Sequence, residues 1–171
     1  AIPHNSNGSN GQMFEDEKWN GDVVDKEYAE FRMRNEPLVE VTQVKGTSET
    51  HPLLSPNDEW ANFEIFPSRI GQNIYSIPYG GYVRDAYLRG MLAEWEGKGN
   101  PYKFGLVGAS DTHTAASSYD ESNYWSKVGL LDGETVLRGS TTLAKEDIDQ
   151  ITSSVNTQGL YRFVEQDEEY F

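Results

Sequence analysis

The sequence predicts an α/β fold, either a small open sheet or part of a (β/α) barrel, with mostly parallel strands and flanking helices. Three observations predict it. Short runs rich in β-branched residues alternate with segments of helical period. Their order is strand, helix, strand, helix, helix, strand, helix, strand, which favours parallel pairing with crossovers. The pattern yields about four strands, whereas a closed barrel needs eight and typically ~250 residues; this chain has 171.

From the amino end, "AIPHN" opens on a strand-like apolar step, and a start of this kind reads as a processed or truncated product. Asn5 to Gly11 is a loop by composition. A helix is expected at about 23–34, with Asp22 as N-cap and Val24, Tyr28 and Phe31 on one face, stopped by Asn35 and Pro37. "LVEVTQV" (Leu38 to Val44) is a strand. In "SPND", Ser55 can cap, Pro56 suits the first helical position and Asp58 closes a capping box ahead of Trp60 and Phe63. After a loop near Pro78 to Gly81, Val83, Tyr87, Met91 and Trp95 describe a long amphipathic helix, ended by "GKGN" and Pro101. "KFGLVGAS" is the next strand. A helix near 144–155 follows, with Ile148, Ile151 and Val155 on one face, and "LYRFV" (160–164) is a closing strand before an acidic tail.

Twenty-one aromatic residues, four Trp, ten Tyr and seven Phe, point to a packed core despite a hydrophobic content of 36%. Acidic residues outnumber basic ones 28 to 14, for a net charge of -14. That field repels nucleic acid, but a bound cation could still dominate locally and admit a small anionic substrate. Cysteine is absent, so any metal must be held by His, Asp and Glu. No apolar run of membrane-spanning length occurs, and the compartment is left open.

Functional groups in α/β folds gather at the carboxyl ends of strands. His4 follows "AIP", Glu40 lies within "LVEVTQV", and Asp111 and His113 follow "KFGLVGAS". Asp111 and His113, two apart, leave the same face of an extended segment, where a carboxylate and an imidazole could meet one ion or two neighbouring ions. The competing reading makes Asp111 a cap and His113 exposed. Glu40 needs a cation, a metal or donors if its strand is covered on both faces, and Lys45 is one candidate partner. The loop "KGTSETHP" adds Lys45, Glu49 and His51. All three histidines thus follow expected strands, and parallel strands would bring them to one rim. A serine hydrolase built on Ser110 with His51 and Glu40 or Glu49 is the weaker alternative, because Thr112 stands where a nucleophile elbow needs glycine. Arg84 and Arg89 read as a solvated helix face.

The blocks "IPHNSNGSNGQMF", "RNEPLVEVTQVKGTSETHPLLSPNDEWANFE" and "NPYKFGLVGASDTHT" resemble consecutive blocks of a bacterial domain-of-unknown-function family. That family is related to the PHP (polymerase and histidinol phosphatase) metal-dependent phosphoesterases. The resemblance runs over about residues 1–129 and leaves 130–171 unassigned. It implies a single domain similar to the carboxyl-terminal half of a PHP-like barrel, lacking the early His-x-His pair. It further implies His4, Asp111 and His113 as ligands of divalent metal ions (Zn, Mn or Fe), at partial occupancy if at all in such a fragment. Glu40, Glu49 and His51 are then the catalytic candidates, with Glu49 and His51 implied only to lie near the site. The implied activity is hydrolysis of a small anionic, phosphorylated substrate by a metal-activated water, weak or absent in this chain alone. A non-catalytic acidic domain with a residual ion or interaction site is the alternative. The exposed edges of a half barrel would favour self-association.

Overall fold

A computed structural model of the chain describes residues 1–72, 74–112, 120, 122, 144–146, 148–150 and 153. Within them the elements are a helix α1 (Lys26–Asn35), a strand β1 (Leu38–Gln43), a short strand β2 (Gly46–Thr47), a second helix α2 (Val83–Trp95) and a strand β3 (Gly105–Gly108). A 3-10 turn at Ser6–Gly8 precedes them.

The sheet corrects the barrel expectation. Among the described residues it has three strands in the order β2-β1-β3, and it is mixed and does not close. β1 and β3 are parallel, with Leu38 opposite Gly105 and Glu40 opposite Val107, and the register shifts between Glu40 and Thr42. β2 instead turns back antiparallel on β1, with Thr42 opposite Thr47. The cause lies in Gly46, which has a φ of +83° and lies so close to Glu64 that a Cβ would meet its carbonyl oxygen. A left-handed glycine reverses the chain into a hairpin where a barrel requires a helical crossover.

"SPND" does not start a helix either, since the segment forms turns. Its capping oxygens have other partners. The Ser55 hydroxyl shares a hydrogen bond with Thr50 Oγ1 at 2.7 Å. Asp58 accepts from the Trp60 amide at 2.9 Å through Oδ1 and from Arg84 at 2.6 Å through Oδ2. Trp60 and Phe63 remain exposed. Side chains of this type readily offer the backbone such local alternatives to a helix.

α1 starts later than expected. Asp25 takes the N-cap role, accepting from the Tyr28 amide at 2.8 Å, and Phe31 is exposed. α2 matches its expected bounds, and half of its expected face meets the core, Val83 within it and Tyr87 packed against it. Val83, Ala86 and Gly90 are buried, while Met91 and Trp95 are exposed. Ala86 and Gly90 let the helix approach the Asn100–Tyr102 segment closely, and a Cβ on Gly90 would meet the Asn100 side chain. The core comprises Phe14, Val39, Val83, Ala86, Tyr102 and Phe104, with Phe14 edge-on to Tyr102 at 5.6 Å. The Arg32 guanidinium lies over the Tyr102 ring at 5.1 Å.

Arg89 departs from the solvated role expected of it. Its side chain is 12% exposed and pairs with Asp85 at 2.8 Å and Asp16 at 2.6 Å, over the Tyr79 ring at 4.5 Å. It thereby ties α2 to the amino-terminal loop. That loop is held just as firmly by its backbone. Phe14 N donates to Gly80 O at 2.8 Å, and Gly11 and Gly80 have φ of +80° and +75°. A Cβ on Gly11 would sit 2.5 Å from the Tyr79 carbonyl, and one on Gly80 would fall on the Gly11 carbonyl. Gly80→Ala should therefore destabilise the chain by about 2 kcal/mol or more, through left-handed strain and steric conflict together. Urea denaturation checks this, and an unchanged midpoint would show that the two loops can separate freely.

Lys145, Glu146, 148–150 and Ser153 are helical, and Tyr75 Oη donates to Gln150 Oε1 at 3.2 Å. Ile151, Val155 and the expected strand at 160–164 lie outside the described residues. Among the described residues no helix is long and apolar enough to cross a membrane.

Candidate functional site

Three stretches of chain run in one direction and bring their carboxyl ends together. β1 and β3 are two of them. The third is the amino-terminal segment, which follows β1 without forming a regular strand. Ala1 N donates to Asn35 O, Glu40 N donates to Pro3 O at 2.9 Å, and the Gln43 amide donates to Asn5 Oδ1. His4 is carried along this path to Glu40. Past the end of β3 the chain reaches Asp111, whose carboxylate meets the Lys45 ammonium.

Glu40 lies within electrostatic reach of His4, Lys45 and Asp111. Burial raises its carboxyl above the usual range, and the Asp111 carboxylate pushes the same way. His4, the Asn5 amide and Lys45 oppose that rise. The cluster thus joins two carboxylates, one ammonium and one imidazole.

The backbone around the cluster is unusual on two sides. Asn5 and Asp111 have φ of 56° and 57°. Asn and Asp tolerate the left-handed region better than other non-glycine residues, and such conformations gather where a side chain must be aimed. Lys45 is fixed by its neighbours. Its amide donates to Gln43 Oε1 at 2.7 Å, and its carbonyl accepts from Asn7 Nδ2 at 2.9 Å. Asn7 in turn accepts from the Ser48 hydroxyl at 3.0 Å. The Lys45 and Asp111 side chains are only 12% and 15% exposed.

The other candidates have different surroundings. His51 is buried, 1% exposed, and packs against Tyr82 with ring centroids 5.4 Å apart. Its Nδ1 accepts from the Leu53 amide at 3.2 Å, and burial lowers its pKa to about 4, so the ring is neutral at pH 7. Glu49 is exposed and faces Arg84 at 3.7 Å, on a cleft of about 270 Å³ shared with Asp58, Trp60 and Phe63. A second cleft, of about 390 Å³, lies by Ser9, Arg69 and Gln72. His4, Glu40 and Asp111 line neither cleft. Ser110 accepts from the Thr112 amide at 3.3 Å. His113 lies outside the described residues.

Among the described residues, no three His, Asp or Glu side chains stand close enough to hold a metal ion together. An imidazole and two carboxylates are ligand types that divalent ions take, but among the described residues they do not converge on one point. A positive charge already stands at Asp111 in the form of the Lys45 ammonium. Sequence reasoning considered Lys45 as a partner for Glu40. It missed the pairing with Asp111 and the supporting roles of Asn5 and Gln43. The one available signal was that Lys45 directly follows a strand, as His4 and Asp111 do.

No curated protein and no solved structure matches the chain. A family model described as "Protein of unknown function (DUF3604)" matches residues 1–163, further than the stretch of about 1–129 over which the sequence blocks are legible. With nearly its whole length matched, the chain belongs to the DUF3604 family.

Proposed function

We propose that the chain carries part of a divalent-cation-dependent hydrolase site for small anionic esters, phosphoesters above all, with His4, Glu40 and Asp111 as its residues. The proposed kinship with the PHP phosphoesterases belongs to this reading. The observation that carries it is the meeting of an imidazole, two carboxylates and an ammonium from separate segments of the chain.

His4 and Asp111 would hold the ion, with Glu40 within electrostatic reach; His113, which the sequence resemblance implies as a further ligand, lies outside the described residues. When bound, such an ion supplies Lewis-acid polarisation and lowers the pKa of a water. The remaining work falls to side chains. Glu40, its carboxyl raised by burial, would be the residue to accept a proton from an attacking water. Asp111 keeps its carboxylate aimed through a left-handed backbone. His51, neutral and buried, has the role of supporting the loop after β2, and Glu49 and Arg84 lie on the neighbouring cleft, where they would contact the remoter part of a substrate.

Binding linkage tests the reading directly. Mn²⁺ or Zn²⁺ at a hundredfold excess over its dissociation constant should stabilise the chain by about 2.7 kcal/mol, which raises the melting temperature by roughly 5–10 °C for a domain of this size. His4→Ala and Asp111→Asn should each abolish most of that rise. Asparagine keeps the left-handed tolerance of position 111, so the comparison isolates the charge. An unshifted melting temperature with either ion would overturn the assignment. It would favour the second reading, a non-catalytic acidic domain, which draws support from Lys45 already partnering Asp111.

A further inference from the structure

We propose that the cleft at the start of α2 binds a single neutral sugar ring, stacked on Trp60 and Phe63 and held at its hydroxyls by Glu49, Asp58 and Arg84. This site is separate from the hydrolase reading and does not rest on it, since no ion takes part and His4, Glu40 and Asp111 do not line the cleft.

Trp60 and Phe63 leave large apolar rings in water, at 73% and 56% exposure, yet they stand on a firmly built turn. Ala61, between them in sequence, is only 2% exposed. The amides of Asp58, Ala61 and Phe63 donate to the carbonyls of Ser55, Asp58 and Trp60, each at 3.1 Å, and the Trp60 amide donates to Asp58 Oδ1 at 2.9 Å. The charged groups are placed by backbone bonds too. Arg84 N donates to Glu49 O at 3.0 Å, which pins the first turn of α2 to the loop after β2. Rings and charges therefore line one preformed cleft of about 270 Å³, and a ligand there has little left to order.

Charge selects the class of ligand. Arg84 Nη1 faces Asp58 at 2.6 Å and Glu49 at 3.7 Å, so one guanidinium stands against two carboxylates. An anion would meet the negative balance of this set, and an organic cation would meet the guanidinium lying between the carboxylates it needs. A neutral ligand with an apolar face and an edge of hydroxyls conflicts with neither. A pyranose has both: its C–H face can cover an aromatic ring, and its adjacent hydroxyls suit the paired oxygens of a carboxylate and the forked donors of a guanidinium. The cleft lies just below the ~300 Å³ at which pockets for drug-sized ligands begin, which is room for one ring.

The probes are the methyl β-pyranosides of glucose, galactose and mannose, titrated into the full chain without divalent ions. Binding is followed by saturation-transfer NMR and by the indole N–H resonances. At least one glycoside should bind with a dissociation constant of about 1–10 mM, the range open to so small a ligand, and shift the Trp60 indole. Trp60→Ala should weaken that binding about tenfold or more, while Trp60→Phe keeps most of it. Glu49→Ala should weaken it about fivefold. These side chains are exposed, so the variants should keep the wild-type urea midpoint, and lost binding then reports the site and not the fold. Trp19, 99% exposed, is the control, and Trp19→Ala should bind as wild type does. Binding of none of the three glycosides would overturn the inference. So would an equal loss in Trp19→Ala, which would mean adventitious stacking on any open indole. A Trp60 indole that responds to tetramethylammonium or to inorganic phosphate more strongly than to every glycoside would overturn it as well. Because no ion is present, a chain that binds a glycoside and ignores Mn²⁺ would sink the hydrolase reading alone, and the reverse result would sink only the sugar site.

Discussion

Phe14→Ala is expected to cost the chain about 3–5 kcal/mol in urea denaturation, the range for truncating a fully buried aromatic. Phe14 is 0% exposed and contacts both other rings of the cluster, Tyr102 at 5.6 Å and Phe104 at 5.5 Å. The Arg32 guanidinium lies 5.9 Å from its ring centre. Truncation would therefore remove ring contacts and part of the apolar cover that a buried guanidinium rests on. Little can collapse into the space, because the neighbours are fixed by other bonds. Tyr102 Oη donates to Glu15 O at 2.6 Å, and Arg32 Nη2 donates to Met13 O at 2.6 Å. Phe14→Leu should recover more than half of the loss, since it restores much of the volume. A loss below about 1 kcal/mol for Phe14→Ala would contradict the packing described, because cavities of this size are consistently costlier.

Acid should remove about 3 kcal/mol through His51 alone. The unfolded chain binds a proton at this residue near pH 6.5, whereas the folded chain resists it down to about 4. Above pH 6.5 both states are neutral and the full stability is present. As pH falls from 6.5 to 4, the unfolded state gains a proton that the folded state does not, and stability declines with it. The slope approaches about 1.4 kcal/mol per pH unit. Carboxylates titrate in the same window, so the informative quantity is a difference. His51→Asn offers an oxygen where Nδ1 accepts from the Leu53 amide and carries no titrating group. The stability gap between wild type and His51→Asn, followed by urea denaturation from pH 8 to pH 4, should narrow by about 3 kcal/mol. A gap that stays constant across that range would mean that the ring is open to water or has an unrecognised acidic partner.

These two residues also show where sequence reasoning reaches and where it stops. The bounds of α2 were legible because Pro and Gly clusters punctuate both ends of a periodic segment. Its inward face was legible only at Val83 and Tyr87, because Ala86 and Gly90 carry little hydrophobic weight and are buried for lack of bulk. β1 was legible from its β-branched run and β3 as an apolar segment, but the hairpin to β2 rests on one glycine conformation. "SPND" misled because its oxygens found partners in Thr50 and Arg84, which no local window contains. The strand-end rule pointed to His4, Glu40 and Asp111, and the described chain does bring them near one another. For His51 the same rule gave only a place in the chain. Whether an imidazole faces a rim or a tyrosine ring depends on how the next loop folds back, which spacing does not encode.

The parallel pairing of β1 with β3 has a consequence for the order in which the chain assembles. The Lys45–Asp111 contact at the end of that pair joins residues 66 apart in sequence, and closing a loop of that length costs roughly 4 kcal/mol of chain entropy before any contact rewards it. The helices and the β1–β2 hairpin need only near neighbours and can form early and transiently. The sheet, and with it the cluster at its end, must wait for distant segments to meet. Folding dominated by such distant contacts is slow. During synthesis, β1 emerges with one edge unmatched and stays so until the ribosome has delivered Gly105–Gly108, and the charged cluster beyond it must wait as well.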